Sequence, residues 1–515
     1  MNKEVFLYKP NSCKNSDFNM WMAFPGPYSF ALSSLGFLWM FKSINEMEDV
    51  NIERIYTDTK ETVLHKDKIS LFGFSFTFDT DFLTIFAMLE RFGFPLKSAE
   101  RENPLIFAGG PVVTANPEPY KDFFDFFIIG DGEDVNLDVV RICKENKGKP
   151  KSEILQKLSE LEGVYVPSLK QEKVKKLTKK LSECIYTPIL SEGAFFKNTF
   201  IVELARGCAN RCGFCLASYL NLPLRFMPYE SVINIIKLGL GYTNKIALLG
   251  AQISAHPHFH DICDYIYQKI KKGQKIEMSV SSLRVDAITP DIVQTLVAAG
   301  QKNSTLAIEA GSERLRKVIN KNITEEQIFN AVKICRENGL KGLKFYGMLG
   351  LPTESQEDLE ELISLAKRLK TEFKGFDISF GFSSFVPKPH TPFQWCGREE
   401  TKYLENKANF IKKELHKLGV SASVSSIKWD YWQAVLSRGD ETFAEFLIDV
   451  YNKGGKIGAF KSSAKVHNIN TDYYAYTNFD LNTQLPWDFI EINPGTEFLK
   501  QEHLRLLKQE HNRNI

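Results

Sequence analysis

Apolar positions in the first 140 residues fall in short runs, separated by stretches where they recur every three or four residues. The runs are Ile69 to Thr77, Pro104 to Ala108 and Phe123 to Ile129, and the helical spacing is clearest from Asp81 to Phe92. Short apolar strands alternating with helices predict a parallel, doubly wound sheet, because each strand is then covered on both faces. Gly109-Gly110-Pro111 and Gly130-Asp131-Gly132-Glu133 follow two of these strands. Loops at the carboxyl ends of such sheets line the ligand crevice, although glycines there serve equally well as turn punctuation. Ala31 to Phe41 reads as a buried helix, being far short of the roughly 20 apolar residues that span a bilayer.

Between residues 146 and 197 the pattern breaks into lysine-rich, irregular text that reads as a linker. No aromatic residues interleave those lysines as stacking platforms, so they read as solvated surface. From residue 198 a strand-then-helix pattern repeats six times, with strands at Phe200–Leu204, Lys245–Leu249, Ile276–Val280, Thr305–Ile308, Gly342–Tyr346 and Asp377–Phe382. Amphipathic helices lie between them, for example Pro290–Ala299, Thr324–Asn338 and Ser355–Lys370. This pattern predicts a partial (βα)6 TIM barrel, whose active site belongs at the carboxyl ends of the strands. The expected α/β chain therefore has a Rossmann-like domain over 1–145, a linker over 146–197, the partial barrel over 198–390 and a small helix-rich or mixed domain over 391–515.

Charge excludes little but narrows the partners. Lysine and arginine number 65 against 63 aspartates and glutamates, so no overall field draws the protein to nucleic acid or to an anionic membrane. A local basic groove stays open. Lys3, Glu4, Lys9 and Lys14 interrupt the amino terminus, where a secretory signal would be apolar, and the expectation is a cytoplasmic protein. Nine cysteines are too few and too odd in number for a disulfide scaffold. Six are scattered; Cys208, Cys212 and Cys215 fall within eight residues.

Those three occupy Arg-Gly-Cys-Ala-Asn-Arg-Cys-Gly-Phe-Cys-Leu (206 to 216), a C-x3-C-x2-C spacing directly after the first barrel strand. Three thiolates on one tight loop can each take one iron of a [4Fe-4S] cubane and leave the fourth iron open to a small chelating molecule. Gly207 and Gly213 let backbone amides turn toward the sulfides, and Phe214 is placed to pack on an adenine. A zinc knuckle would want a second paired half-site, and the chain contains none.

The spacing and position resemble those of the radical S-adenosylmethionine (SAM) superfamily. Membership implies a [4Fe-4S] cluster on Cys208, Cys212 and Cys215, SAM on the open iron, and reductive cleavage of SAM to a 5′-deoxyadenosyl radical that modifies a substrate. The resemblance continues downstream. Gly250-Ala251 resembles the turn that receives the methionine amino group, and Ser281, Ser282 and Arg284 hold positions that meet its carboxylate or the ribose. Glu309, Gly311 and Ser312 are similar to the ribose-contacting segment, and Gly347 and Gly350 to the adenine-side motif.

Phe24-Pro25-Gly26-Pro27-Tyr28, Ala108-Gly109-Gly110-Pro111, Ile129-Gly130-Asp131-Gly132-Glu133 and the 385–395 block resemble a group of large radical SAM proteins with a cobalamin-binding-like (B12-binding-like) amino-terminal domain. A corrinoid held by histidine would need a D-x-H-x-x-G loop. The only histidine in the first 140 residues, His65, lacks that frame, which leaves only a corrinoid without a protein ligand. His390, between prolines after the sixth strand, is a candidate proton relay facing the radical site. His256, His258 and His260 read as loop histidines, and Cys396 as a buried thiol.

The resemblance implies a small low-potential electron donor, flavodoxin or ferredoxin, and an unidentified substrate altered by methyl or sulfur transfer or by rearrangement. A non-catalytic SAM-binding scaffold or sensor, and an enzyme acting on RNA, are the competing readings.

Overall fold

The computed structural model describes residues 3–11, 16–280 and 283–508, so Ser281 and Ser282 lie outside the described residues. Six strands form the amino-terminal sheet: β1 (Asn19–Ala23), β2 (Asn51–Ile55), β3 (Ile69–Ser75), β4 (Leu105–Gly109), β5 (Phe126–Ile128) and β6 (Val164–Tyr165). Their order is β2-β1-β3-β4-β5-β6, parallel except for β6. The strand order turns back at β1 and β3, and the carboxyl ends there form the crevice of a doubly wound sheet.

Side-chain parity sorts β1 between two cores: Trp21 and Ala23 enter one, Met20 the other. The Trp21 face is covered by helix Asp81–Arg91, through Phe82, Ile85, Phe86 and Leu89, and by the carboxyl-terminal helices bearing Trp432, Phe446 and Phe460. Each such fully buried aromatic contributes roughly 1.5–3 kcal/mol. The carboxyl-terminal region is thus built onto the amino-terminal sheet.

The stretch read as a linker has fixed partners. Helix Lys151–Leu158 buries Ile154, Leu155 and Leu158 against the sheet, and β6 lengthens that sheet. Val174–Lys175 pairs with Ile490–Glu491, and Ile189–Ser191 with Glu4–Phe6. Val174 is buried while the Lys173 and Lys175 side chains stay 76% and 64% exposed, an alternation that the dense lysines obscure in the sequence.

Seven parallel strands make the second unit: β7 (Thr199–Glu203), β8 (Lys245–Leu249), β9 (Glu277–Val280), β10 (Asn303–Glu309), β11 (Gly342–Leu349), β12 (Asp377–Ser384) and β13 (Ser421–Val424). They form runs of three and four, joined by a bridge from Leu283 to Leu306. The expected (βα)6 arc therefore gains a seventh strand. Ser-Ala-Ser-Val carries too little apolar character to announce one.

Candidate active site

The carboxyl end of β7 runs through Ala205–Arg206 into the cysteine loop. Gly207 has φ +89, and a Cβ there would meet the Asn221 carbonyl oxygen at 2.5 Å, so only glycine permits the turn. The Cys208 thiol donates to Gln252 Oε1 at 3.2 Å and accepts from Asn210 Nδ2 at 3.4 Å. Cys212 Sγ lies 3.9 Å from the Asn320 carbonyl oxygen, and the Cys215 amide donates to the Cys212 carbonyl. Neighbouring thiols add to burial in raising the Cys212 and Cys215 pKa values. Among the described residues no three His, Cys, Asp or Glu groups converge on one metal ion, whereas a cubane receives each thiolate on a separate iron.

The surroundings suit an anionic cluster. Burial pushes the Cys212 thiol up to about 12, and Lys321 beside it pulls the other way. Arg284 also lies within electrostatic range of Cys212 and Cys208. Three thiolates on an iron–sulfur core would carry net negative charge, and the two cations that face it are each also paired with a carboxylate, Lys321 with Glu309 and Arg284 with Asp286.

The expected SAM residues divide. Gly250 approaches the Ala205 backbone, where a Cβ would stand 2.8 Å from its carbonyl oxygen, and Ala251 lines the cavity beside Gly207. Arg284 forks onto Asp286 at 2.8 and 2.9 Å. Glu309, at φ +65, accepts from Lys321 Nζ at 3.1 Å, and both side chains are nearly buried. Phe214 packs, partly buried, against the apolar cluster that includes Ala310 and Leu351.

Others are committed to the fold. Gly311 lies against helix Gln356–Glu372, where a Cβ would stand 2.3 Å from Leu362 Cα. Ser312 caps the next helix by accepting from the Leu315 amide, and its hydroxyl bonds Asp358. Gly347 makes room for the Phe382 ring, and the Gly350 amide donates to Glu354. His256 bonds the Met227 carbonyl, while His258 and His260 pair with Asp261 and Asp291, so each turns to its own partner.

His390 is sealed. Its ring hydrogen-bonds the Ala115 backbone, its Nε2 has no partner, and burial drives its pKa down to about 3. It is not among the residues lining the cavity by the cysteine loop. Because the folded pKa lies below the ordinary 6.5, the unfolded chain takes up the proton first, and stability falls as pH drops from 6.5 toward 3. Asparagine tolerates the φ of +57. His390→Asn should therefore flatten the acid side of the stability curve by about 1–3 kcal/mol at pH 4, read by urea unfolding at pH 7 and pH 4.

Lys321 went unnoticed in the sequence. Its loop is set by two left-handed asparagines, Asn320 and Asn322, whose φ values are +59 and +49, and Asn320 Nδ2 donates to the Asn210 carbonyl of the cysteine loop at 2.8 Å. The only available signal was that Asn-Lys-Asn triplet, since asparagine enters the left-handed region more readily than most residues. Lys321→Met should weaken SAM binding and cluster retention by about 10–100-fold, measured by equilibrium dialysis and iron content. Unchanged values would make the Lys321–Glu309 pair purely structural.

A cavity of 460 Å³ opens beside the loop, between it and the amino-terminal sheet. Both glycine loops line it, through Gly109, Gly110, Gly130 and Gly132. No histidine is among its lining residues, and the His65 side chain is 69% exposed beside Asp67. A histidine-ligated corrinoid does not fit.

The family described as the Radical SAM superfamily matches residues 202–366, and the one described as Radical SAM proteins, N-terminal, matches 36–167. An uncharacterized protein of Methanocaldococcus jannaschii is 30% identical over 453 residues, covering 86% of this chain and 94% of its own. A threonylcarbamoyladenosine tRNA methylthiotransferase of Aquifex aeolicus is 23% identical over 222 residues, 41% of this chain and 50% of its own length. Among solved structures, the radical SAM methyltransferase TsrM of Kitasatospora setae superposes with a TM-score of 0.51 at 14% identity, over 70% of this chain and 72% of that one. The cobalamin-dependent SAM radical enzyme OxsB, in its apo form, gives 0.50 at 14% identity over 98% and 81%. At such identity the likeness concerns the fold.

Proposed function

Because the chain belongs to the radical SAM superfamily, we propose that Cys208, Cys212 and Cys215 hold a [4Fe-4S] cluster and that Arg284, Lys321 and Glu309 receive the SAM bound to it. The supporting observation is the three-thiol loop at the carboxyl end of β7, with Arg284 and Lys321 in electrostatic reach of its sulfurs. With both groups bound, one electron cleaves the SAM sulfonium and supplies a 5′-deoxyadenosyl radical for hydrogen abstraction from the substrate.

The protein's own part is binding and orientation. Lys321–Glu309 and Arg284–Asp286 are opposite charges held in fixed pairs, and a methionine end carries one charge of each sign. Its carboxylate is matched to a guanidinium or ammonium and its ammonium to a carboxylate. Gln252 and Asn210 orient Cys208 through its sulfur. A small low-potential donor, flavodoxin or ferredoxin, provides the electron. No helix among the described residues is long and apolar enough to cross a membrane.

The expected result with anaerobically reconstituted protein, SAM and dithionite is 5′-deoxyadenosine detected by chromatography and mass spectrometry. Intact SAM together with a zinc-loaded protein would end this reading. Likeness to the tRNA methylthiotransferase supports RNA as a second substrate reading, although this chain spans half of that relative. Retention on tRNA that weakens steeply with salt would favour it.

A further inference from the structure

The cavity beside the cysteine loop has an inner end and a mouth of different chemistry. Inside, it runs between the sheet face bearing Met20 and Phe107 and helix Leu35–Asn45, which contributes Phe37 and Met40. Gly73 is also part of the lining, and the Phe107 ring packs directly over it, where a Cβ would stand 2.6 Å away. The mouth is formed by Asp131, Glu133, Glu203 and Arg206, next to Gly207 and hence to Cys208.

Arg206 is largely committed, four of its contacts going to three carboxylates. Its Nε and Nη2 take both oxygens of Glu203 at 3.0 and 2.8 Å, its Nη1 takes Asp131 at 2.9 Å, and its Nη2 also meets Glu133 at 2.8 Å. Asp131 is shared with Arg225 at 2.7 Å. Lys176, also nearby, turns its ammonium to the Leu177 carbonyl and the Thr178 hydroxyl. One acceptor stays uncommitted: the second carboxylate oxygen of Glu133, buried and without a partner. Leaving it so costs free energy that a hydrogen-bond donor would recover.

We propose that this cavity holds the apolar body of the substrate, with a substrate amine or hydroxyl donating to Glu133 at the mouth. The reacting carbon then lies near that polar group, on the side of the Cys208 loop. The word substrate rests on the radical SAM reading; the binding chemistry does not. An apolar chamber with one oriented polar group is how small-molecule pockets combine affinity with selectivity.

The test uses calorimetry on the full-length, reconstituted protein with decylamine and decanoate as probes. Decylamine should bind about tenfold or more tightly than decanoate, because the free Glu133 oxygen attracts a donor and repels an anion. Gly36→Leu adds an isobutyl group at an exposed helix position on the cavity's lining where a Cβ meets nothing within 4 Å, so it should fold, narrow the chamber and weaken decylamine by about tenfold or more. Glu133→Gln should erase the preference of amine over acid while alkyl binding persists. Equal affinities in the unmodified protein, or a Gly36→Leu variant that binds normally, would overturn the proposal. So would stoichiometric hydroxocobalamin binding that decylamine reverses, which would give the cavity to a corrinoid. No SAM or reductant is present in this titration. Its failure thus leaves SAM cleavage standing, and absent 5′-deoxyadenosine leaves the titration unchanged.

Discussion

Alanine at Cys208, Cys212 or Cys215 is expected to leave the reconstituted protein without its visible iron–sulfur absorption and to bring 5′-deoxyadenosine to background. In the proposed cluster each thiolate would take a different iron and no neighbour could stand in: the adjoining side chains are Gln252, Asn210 and Ser218, none of them a thiol. Cys143 and Cys335 provide the contrast. Both are buried in apolar clusters, where burial pushes each thiol up to about 12, and they behave as small core residues. Alanine at either should cost only about 1–2 kcal/mol of stability and leave iron content intact. Equal iron loss in the two sets, by inductively coupled plasma analysis, would show that the loop is not the ligand set.

The second large effect is expected at Arg206. This guanidinium leaves the barrel at the step before Gly207 and joins Glu203 to Asp131 and Glu133 of the amino-terminal domain. Arg206→Met keeps most of the side chain's volume but removes a cation from three nearly buried carboxylates, of which Asp131 keeps Arg225. Removing one partner of a buried ion pair costs roughly 3–5 kcal/mol, so the variant should unfold at markedly lower denaturant concentration. Proteolysis within 146–197 should also speed up as the two units loosen.

Acid should narrow the gap. Burial alone would raise the Asp131 pKa, but Arg206 and Arg225 outweigh it and hold the carboxyl below its ordinary value. A depressed carboxylate contributes stability that is fully present above the unfolded pKa of about 3.9 and lost as pH falls through the folded one. The difference between the unmodified protein and Arg206→Met should therefore be complete at pH 7 and close below about pH 4. A gap that stays constant with pH would mean that packing, not charge, is what Arg206 contributes.

Much of this molecule was legible locally, and particular residues show where that ended. The thiol spacing needs only eight residues to state its chemistry, and six strands of the arc announce themselves by apolar runs followed by helical periodicity. Strand β1 is Asn-Met-Trp-Met-Ala, buried throughout and without alternation, while β2, Asn-Ile-Glu-Arg-Ile, sits at the sheet edge with its charges turned to partners outside the strand, Arg54 to Glu4 and Glu53 to the Leu64 amide. Neither pattern differs from loop text.

The sequence by itself determined the cysteine loop, the alternation of strand and helix and the glycine turns, because each depends on chemistry within a few residues. Only the tertiary structure decided that Lys321 meets Glu309, that His390 is shut against Ala115 and that Ser312 serves Asp358. It alone decided that Glu133 faces a chamber roofed by a helix some hundred residues earlier. Such contacts join residues that share no local pattern. They are selected when whole elements pack, and the free energy that selects them is burial and charge pairing summed over the assembled core.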